Sequence, residues 1–441
     1  MPSPQIPPTE FAARRQRLMQ AIGPDAVAVI FAHGEVTRSR DTHFPFRQDS
    51  DFHYLCGFPE PDAVLVLAPG RDAGETVLFV RPKDREREIW DGFREGPEGA
   101  CARYGANEAF VLDELDARLP EMLANRGAVY HTLGIHPAND TRLTGWLNAV
   151  RAQGRNGVGA PQAVTGLDSV LHPLRQIKSA DEIAMMRHAA QVSAQAHRRA
   201  MRESRPGVYE YQLAAAIHHD FAMHGMEPAY GTIVGGGANA CVLHYVENSQ
   251  PLQADTLCLI DAGAEYQGYA ADITRTFPVD GRYTAAQREI YDLVLEAQLA
   301  AIAAVQVGHD WLAPHRAATQ VLTAGLVRLG VLDGDVDTLI AEGAHTAFFM
   351  HKTGHWLGLD VHDVGSYREG ADWRRLEAGQ VLTIEPGLYF APDNPATPER
   401  YAGIGIRIED DVHVTADGPD VLTADVPKTA EAIEEWMQAT R

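Results

Sequence analysis

A chain of 441 residues, 45% hydrophobic and 22% charged, is long enough for two or three domains with sizeable cores. Its net charge of -22 and pI near 5.2 argue against a nucleic-acid backbone or an anionic membrane surface as partner. No run approaches the ~18 apolar residues of a membrane span, and no signal-type apolar core follows the basic N-terminus. Cys56, Cys101, Cys241 and Cys258 are scattered without CxxC spacing, so the expectation is a soluble cytoplasmic protein with reduced thiols.

Pro7-Pro8-Thr9 ahead of EFAARRQRLMQAIG predicts an amphipathic helix capped by Thr9 and ending at Gly23. Strands are predicted at 26–32, 63–70, 75–80 and 128–135, with a helix over 113–126, so the first domain reads as α/β. The segment 38–58, RSRDTHFPFRQDSDFHYLCGF, fits no simple period, and most of its aromatics read as core. Trp90 stands among charges in REIWDGFREG, where a large indole is either a lid over loop surface or part of an interface or pocket.

A boundary falls near 173–177, dividing the chain into domains of 1–174 and 175–441. Ser179-x-x-Glu182 is a capping box opening a long helix, and a second helix covers 210–225. Gly235, Gly236 and Gly237 precede no Gly-Lys-Ser/Thr, so they read as a tight turn needing positive φ rather than a phosphate loop. Helices follow the central hairpin at 284–305 and 311–329, and strands lie at 380–390 and 402–414. Helices segregated from an antiparallel sheet make the second domain α+β.

The stretch 257–277, LCLIDAGAEYQGYAADITRTF, predicts a hairpin turning at Gln267-Gly268. Pairing Tyr266 with Tyr269 sets Asp272 opposite Gly263 and Asp261 opposite Thr274. The two aspartates then share a face with Cα atoms roughly 7 to 8 Å apart, which suits two metal ions about 3.5 to 4 Å apart. Two other readings of the hairpin stand beside this one. Both aspartates could face water on a half-exposed sheet, or LIDAG could be an aspartic-protease loop, although the second Asp-small-Gly loop which that chemistry needs is missing.

Further along, Glu385 ends the apolar strand VLTIEPG, where Pro386-Gly387 would terminate the ladder. In GIRIEDD, Ile404, Ile406 and Ile408 face one way, so Arg407 and Glu409 face the other. Adding His355 from HKTGHWLGLDVHD gives four carboxylates and one imidazole, a donor set for Mn²⁺, Co²⁺, Fe²⁺ or Zn²⁺ rather than a thiolate site. His244, His351 and His362 surround these candidates in sequence, and the HExxH motif is absent.

These motifs, LIDAGAEYQGYAADITRTFPVDG, HKTGHWLGLDVHD, TIEPGLY and GIRIEDDV, closely resemble the dinuclear metallopeptidases of pita-bread fold. RSRDTHFPFRQDSDFHYLCGFPEPDAVLVL is similar to the N-terminal domain of the aminopeptidase P family, so the resemblance spans both domains. It implies two divalent ions, Mn²⁺ in the first place: Asp261 would chelate one, Asp272 and Glu409 would bridge both, and His355 and Glu385 would hold the other. A hydroxide bridging the ions would attack the scissile carbonyl, with Glu385 as proton shuttle. By the same resemblance His351 and His362 steady the tetrahedral intermediate and the substrate ends, and Arg407 stabilises the intermediate or closes the pocket. His244, Trp90 and Tyr389 are implied as substrate-binding residues, Trp90 walling the proline ring.

The implied reaction is removal of the N-terminal residue from peptides with proline second, by a homodimer or homotetramer. Xaa-Pro dipeptidase (prolidase) shares the five ligands and is the nearest alternative; the long N-terminal domain disfavours methionine aminopeptidase. A catalytically inactive pita-bread binding module is the alternative from another class, and it would be expected to have lost ligands and to carry charged tails.

Overall fold

The computed structural model describes residues 3–439, which divide into two compact units, Ile6–Arg175 and, with residues 3–5, Gln176 onward. Among the described residues, no helix is long and apolar enough to cross a membrane.

The first unit is built on a six-stranded mixed sheet in the order Glu108–Val111, Thr76–Val80, Val64–Leu67, Ala26–Phe31, Ala128–Tyr130, Ala163–Thr165. Ala26–Phe31 runs antiparallel to Val64–Leu67 and parallel to Ala128–Tyr130. Alternation puts Val27, Val29, Val64, Val66, Val77 and Phe79 on one face, under the helices Leu115–Leu123 and Pro137–Arg151. The opposite face is buried as well, which is why these strands read as unbroken apolar runs. The first helix, Pro8–Ile22, starts one residue ahead of Thr9. Pro7 is the N-cap and Pro8 the first helical residue, where a missing N–H costs nothing, so no side-chain cap forms there.

In the second unit the helix Ala180–Glu203 opens with the Ser179–Glu182 capping box, and Ala285–Ala303 opens with a second one, Thr284–Gln287. The central hairpin keeps the expected register, with Tyr266 opposite Tyr269 and Asp261 opposite Thr274. Gln267 and Gly268 both take positive φ, as a two-residue hairpin turn requires. Where the arms approach, a Cβ on Gly263 would stand 1.7 Å from the carbonyl oxygen of Ala271, so only glycine fits. In the Gly235–Gly237 run only Gly237 needs positive φ. A Cβ on Gly235 would press on the backbone of Asn239 and Ala240, and one on Gly236 would meet Leu252, so close packing explains those two.

The hairpin and the two C-terminal strands each keep one register across a short break. Leu257–Asp261 pairs with Thr274–Pro278 and Ala264–Tyr266 with Tyr269–Ala270, and only the outer neighbour changes, from Ile233–Gly236 to Glu227–Pro228. Likewise Val381–Ile384 pairs with Asp410–Thr415 and Gly387–Phe390 with Ile404–Arg407, Ile384 standing opposite Asp410 and Gly387 opposite Arg407. The ladder is therefore interrupted at Glu385-Pro386 and resumes on the same partner strand instead of ending there. Asp261, Asp272, Glu385 and Glu409 all sit at or beside these breaks.

Candidate metal centre

The four acids stand at or beside these breaks in the two ladders, and their side chains converge. One ligand atom each from Asp272, His355 and Glu409 lies within 4.8 Å of the others. His355 Nε2 is 3.5 Å from Asp272 Oδ2 and 3.7 Å from Glu385 Oε1. Asp261 joins through Tyr230, whose Oη stands 2.6 Å from Asp261 Oδ1 and 2.5 Å from Asp272 Oδ1. One phenol hydrogen serves only one of those carboxylates at a time.

His355 lies in a loop that runs beside Val381–Ile384 instead of forming a helix. Thr383 N–H donates to the His355 carbonyl at 2.9 Å, and His355 N–H donates to Thr383 Oγ1 at 3.1 Å. Its Nδ1 meets the Trp356 carbonyl at 2.9 Å, so Nδ1 carries the hydrogen and Nε2 faces the acids. Thr274 Oγ1 donates to Glu409 Oε2 at 2.6 Å and accepts from Arg407 Nε at 3.1 Å. Arg407 Nη2 donates to Asp261 Oδ2 at 2.6 Å, and Nη1 donates to Tyr389 Oη at 3.2 Å. Arginine has no acceptor, so the Tyr389 hydrogen is free to go to His351 Nε2, 2.9 Å away. His351 is then the Nδ1–H tautomer, donating to the Lys352 carbonyl at 2.7 Å.

The cluster is short of positive charge. Burial, then the neighbouring Asp272, Glu385 and Asp261, pushes the Glu409 carboxyl well above the usual carboxylate range. Burial lifts Glu385 to about 7 against the pull of His355 and Arg407. Burial works against charge on His355, but Asp272 and Glu385 outweigh it and hold the imidazole up at about 9. Burial and the Arg407 cation depress His351 to about 4. Four carboxylates face one guanidinium and at most one imidazolium, which leaves two negative charges uncompensated if all ionise. Oxygen-rich, imidazole-containing and electron-rich, the residues present fit divalent cations.

Of the other residues expected at the site, the His362 ring lies 4.2 Å from that of His355, and His244 is exposed but close enough to bear on the charge of His351 and His362. Tyr389 and Arg407 are almost wholly buried, and Tyr389 Oη, Arg407 Nε, Nη1 and Nη2 all have protein partners. These contacts tie Tyr389 to His351 and Arg407, and Arg407 to Asp261 and Thr274. Trp90 lies in the first unit, on the short helix Arg85–Asp91, 85% exposed. Sequence reasoning missed Tyr230, Thr274 and Thr383, whose residue types carry no metal signal.

The model of metallopeptidase family M24 matches residues 184–416, and that of the aminopeptidase P N-terminal domain matches residues 11–130. The chain belongs to metallopeptidase family M24. Its relatives in this family match it end to end. It is 47% identical over 439 residues to the Xaa-Pro aminopeptidase of Escherichia coli strain K12, covering 99% of each chain. It is 35% identical over 449 residues to human Xaa-Pro aminopeptidase 3, covering 98% of this chain and 86% of the human one. Among solved structures, the Pseudomonas aeruginosa aminopeptidase PepP superposes with a TM-score of 0.98 at 51% identity, covering 99% of both chains. Zn-substituted E. coli aminopeptidase P in complex with product superposes at 0.96. These likenesses establish the pita-bread fold for the M24 unit.

Proposed function

We propose that this chain is an Xaa-Pro aminopeptidase, removing the N-terminal residue from peptides whose second residue is proline. The observation that carries it is the convergence of Asp261, Asp272, His355, Glu385 and Glu409 in a chain matched over both domains by Xaa-Pro aminopeptidases. Those five side chains would hold two divalent ions, and Mn²⁺ is our choice because four of the five donors are hard carboxylates. When bound, the ions supply Lewis acidity at the scissile carbonyl and lower the pKa of a water from 15.7 towards about 7.

The chain's own groups then divide the work. Arg407 and Thr274 hold Asp261 and Glu409 in place. Glu385 Oε2 stands 3.9 Å from His351 Nδ1, beyond hydrogen-bond distance, so Glu385 has an oxygen with which to accept a proton from the attacking water and pass it to the leaving proline nitrogen. That nitrogen carries no hydrogen in the peptide, so it must gain one to depart as an amine. His351, fixed by Tyr389, and His362, beside His355, flank the reacting carbonyl; His244 lines the approach.

The same reading includes a homodimer or homotetramer in the reducing cytoplasm. It is supported by the exposed apolar cluster of Ile89, Trp90 and Phe93 and by four unpaired cysteines. Protein stripped of metal and reloaded with Mn²⁺ is expected to cleave an Xaa-Pro-Yaa tripeptide strongly. Cleavage of the Xaa-Pro dipeptide alone would make it a prolidase, and metal bound without cleavage of either would leave a binding module.

A further inference from the structure

Glu210 is fully buried at the first position of the helix Glu210–Met223, far in sequence from every residue assigned so far. Its carboxylate collects four hydrogen bonds from one loop. Oε1 accepts from Gly236 N–H at 2.8 Å and from Asn239 Nδ2 at 2.9 Å. Oε2 accepts from Tyr245 Oη at 2.9 Å and from Gln250 N–H at 2.8 Å. Gly236 and Gln250 are the two ends of the loop, so one side chain clips both ends and two interior points. The clip is reinforced by the backbone, since Glu210 N–H donates to the Gln250 carbonyl at 3.0 Å. The helix N-terminus stabilises the carboxylate further.

The loop so gathered carries His244, the immediate neighbour of Tyr245. His244 is exposed, while Tyr245 is anchored inward on Glu210. A loop with exposed tips and few regular ladder bonds would wander without such an anchor, because ordering each residue costs about 1–2 kcal/mol of backbone entropy. We propose that Glu210 is a positioning residue for substrate recognition: its carboxylate holds the 236–250 loop in the one arrangement that presents His244 to the peptide. This rests on the Xaa-Pro aminopeptidase reading of the site. The metal cluster uses none of these hydrogen bonds, so Glu210 acts on binding of the peptide and leaves metal loading alone.

Glu210→Gln is the decisive variant, since the amide keeps the shape but turns one acceptor oxygen into a donor facing two donors. Losing bonds to a charged acceptor predicts a KM for an Xaa-Pro-Yaa peptide raised by about tenfold or more, with kcat less affected and Mn²⁺ affinity unchanged. Amide hydrogen exchange is expected to speed up across residues 236–250 and nowhere else. Tyr245→Phe removes one of the four bonds and should give a smaller change of the same kind; it carries the test if Glu210→Gln does not fold. Parent-like KM and parent-like exchange in the loop would overturn the proposal. So would a variant that loses Mn²⁺ affinity and kcat while KM stays put, which is the pattern of a general structural defect. If the parent itself cleaves no Xaa-Pro peptide, the reading of the site falls instead, and exchange at 236–250 still decides whether Glu210 holds the loop.

Discussion

Glu409 and Asp410 are adjacent, both are buried, and their environments are opposite. Asp410 receives Arg275 Nη2 at 2.7 Å, Lys428 Nζ at 2.7 Å, Gln298 Nε2 at 2.8 Å and Thr423 Oγ1 at 2.8 Å. Burial opposes its charge, but Arg275 and Lys428 override that and bring it down to about 2. Glu409 accepts from Thr274 alone and faces three other carboxylates, and its pKa is driven up. One residue apart, a finished ion-pair network stands beside an unfinished one. Burial of a carboxylate marks nothing by itself; what differs between these two neighbours is the cationic compensation each receives.

Four measurements break or sharpen that contrast. Glu409→Ala should lower turnover by more than the roughly 100-fold typical of outer-shell changes, while the metal-free chain melts at a higher temperature than the parent because a buried acid facing three others is gone. Asp410→Ala should do the reverse. It leaves Arg275 and Lys428 uncompensated, and urea unfolding should show a loss of about 3–5 kcal/mol.

A pH series probes the same packing from behind the site. His197 is fully buried with Nε2 2.9 Å from the Ala262 carbonyl, and burial followed by the Arg275 charge lowers its pKa from 6.5 to about 4. The unfolded chain therefore binds one more proton than the native chain between those values. Stability is complete above pH 6.5 and falls by about 3 kcal/mol as pH drops to 4. His197→Gln should flatten that part of the profile in urea titrations at stepped pH. The smallest effect is expected from Thr274→Val, which removes the hydroxyl that steadies Glu409 and Arg407; calorimetry should show Mn²⁺ affinity reduced about 10- to 100-fold, with Thr274→Ser restoring it.

The hairpin register was readable in advance because side-chain alternation has a period of two and Gln267-Gly268 fixes the turn. The candidate ligands were readable too, because acids in apolar strands stand out against their neighbours. The resumption of pairing beyond Glu385-Pro386 was not, since Pro386-Gly387 reads locally as the end of a ladder. The same holds for Tyr230, Thr274 and Glu210. Their roles lie in bonds spanning from 26 to 135 residues, and nothing beside them in sequence announces a partner. Tyr389 and Arg407 could be placed at the site from their motifs, but only the completed hydrogen-bond chain shows that their polar groups are spent on Asp261, Thr274 and His351.

The most direct test of the unfinished network is to titrate Mn²⁺ into the stripped parent chain while following bound metal and cleavage of an Xaa-Pro-Yaa peptide together. The expected result is two ions per chain, with turnover rising as they bind and vanishing on chelation. Full turnover by stripped protein in excess chelator would contradict the account, as would saturation with no ion bound.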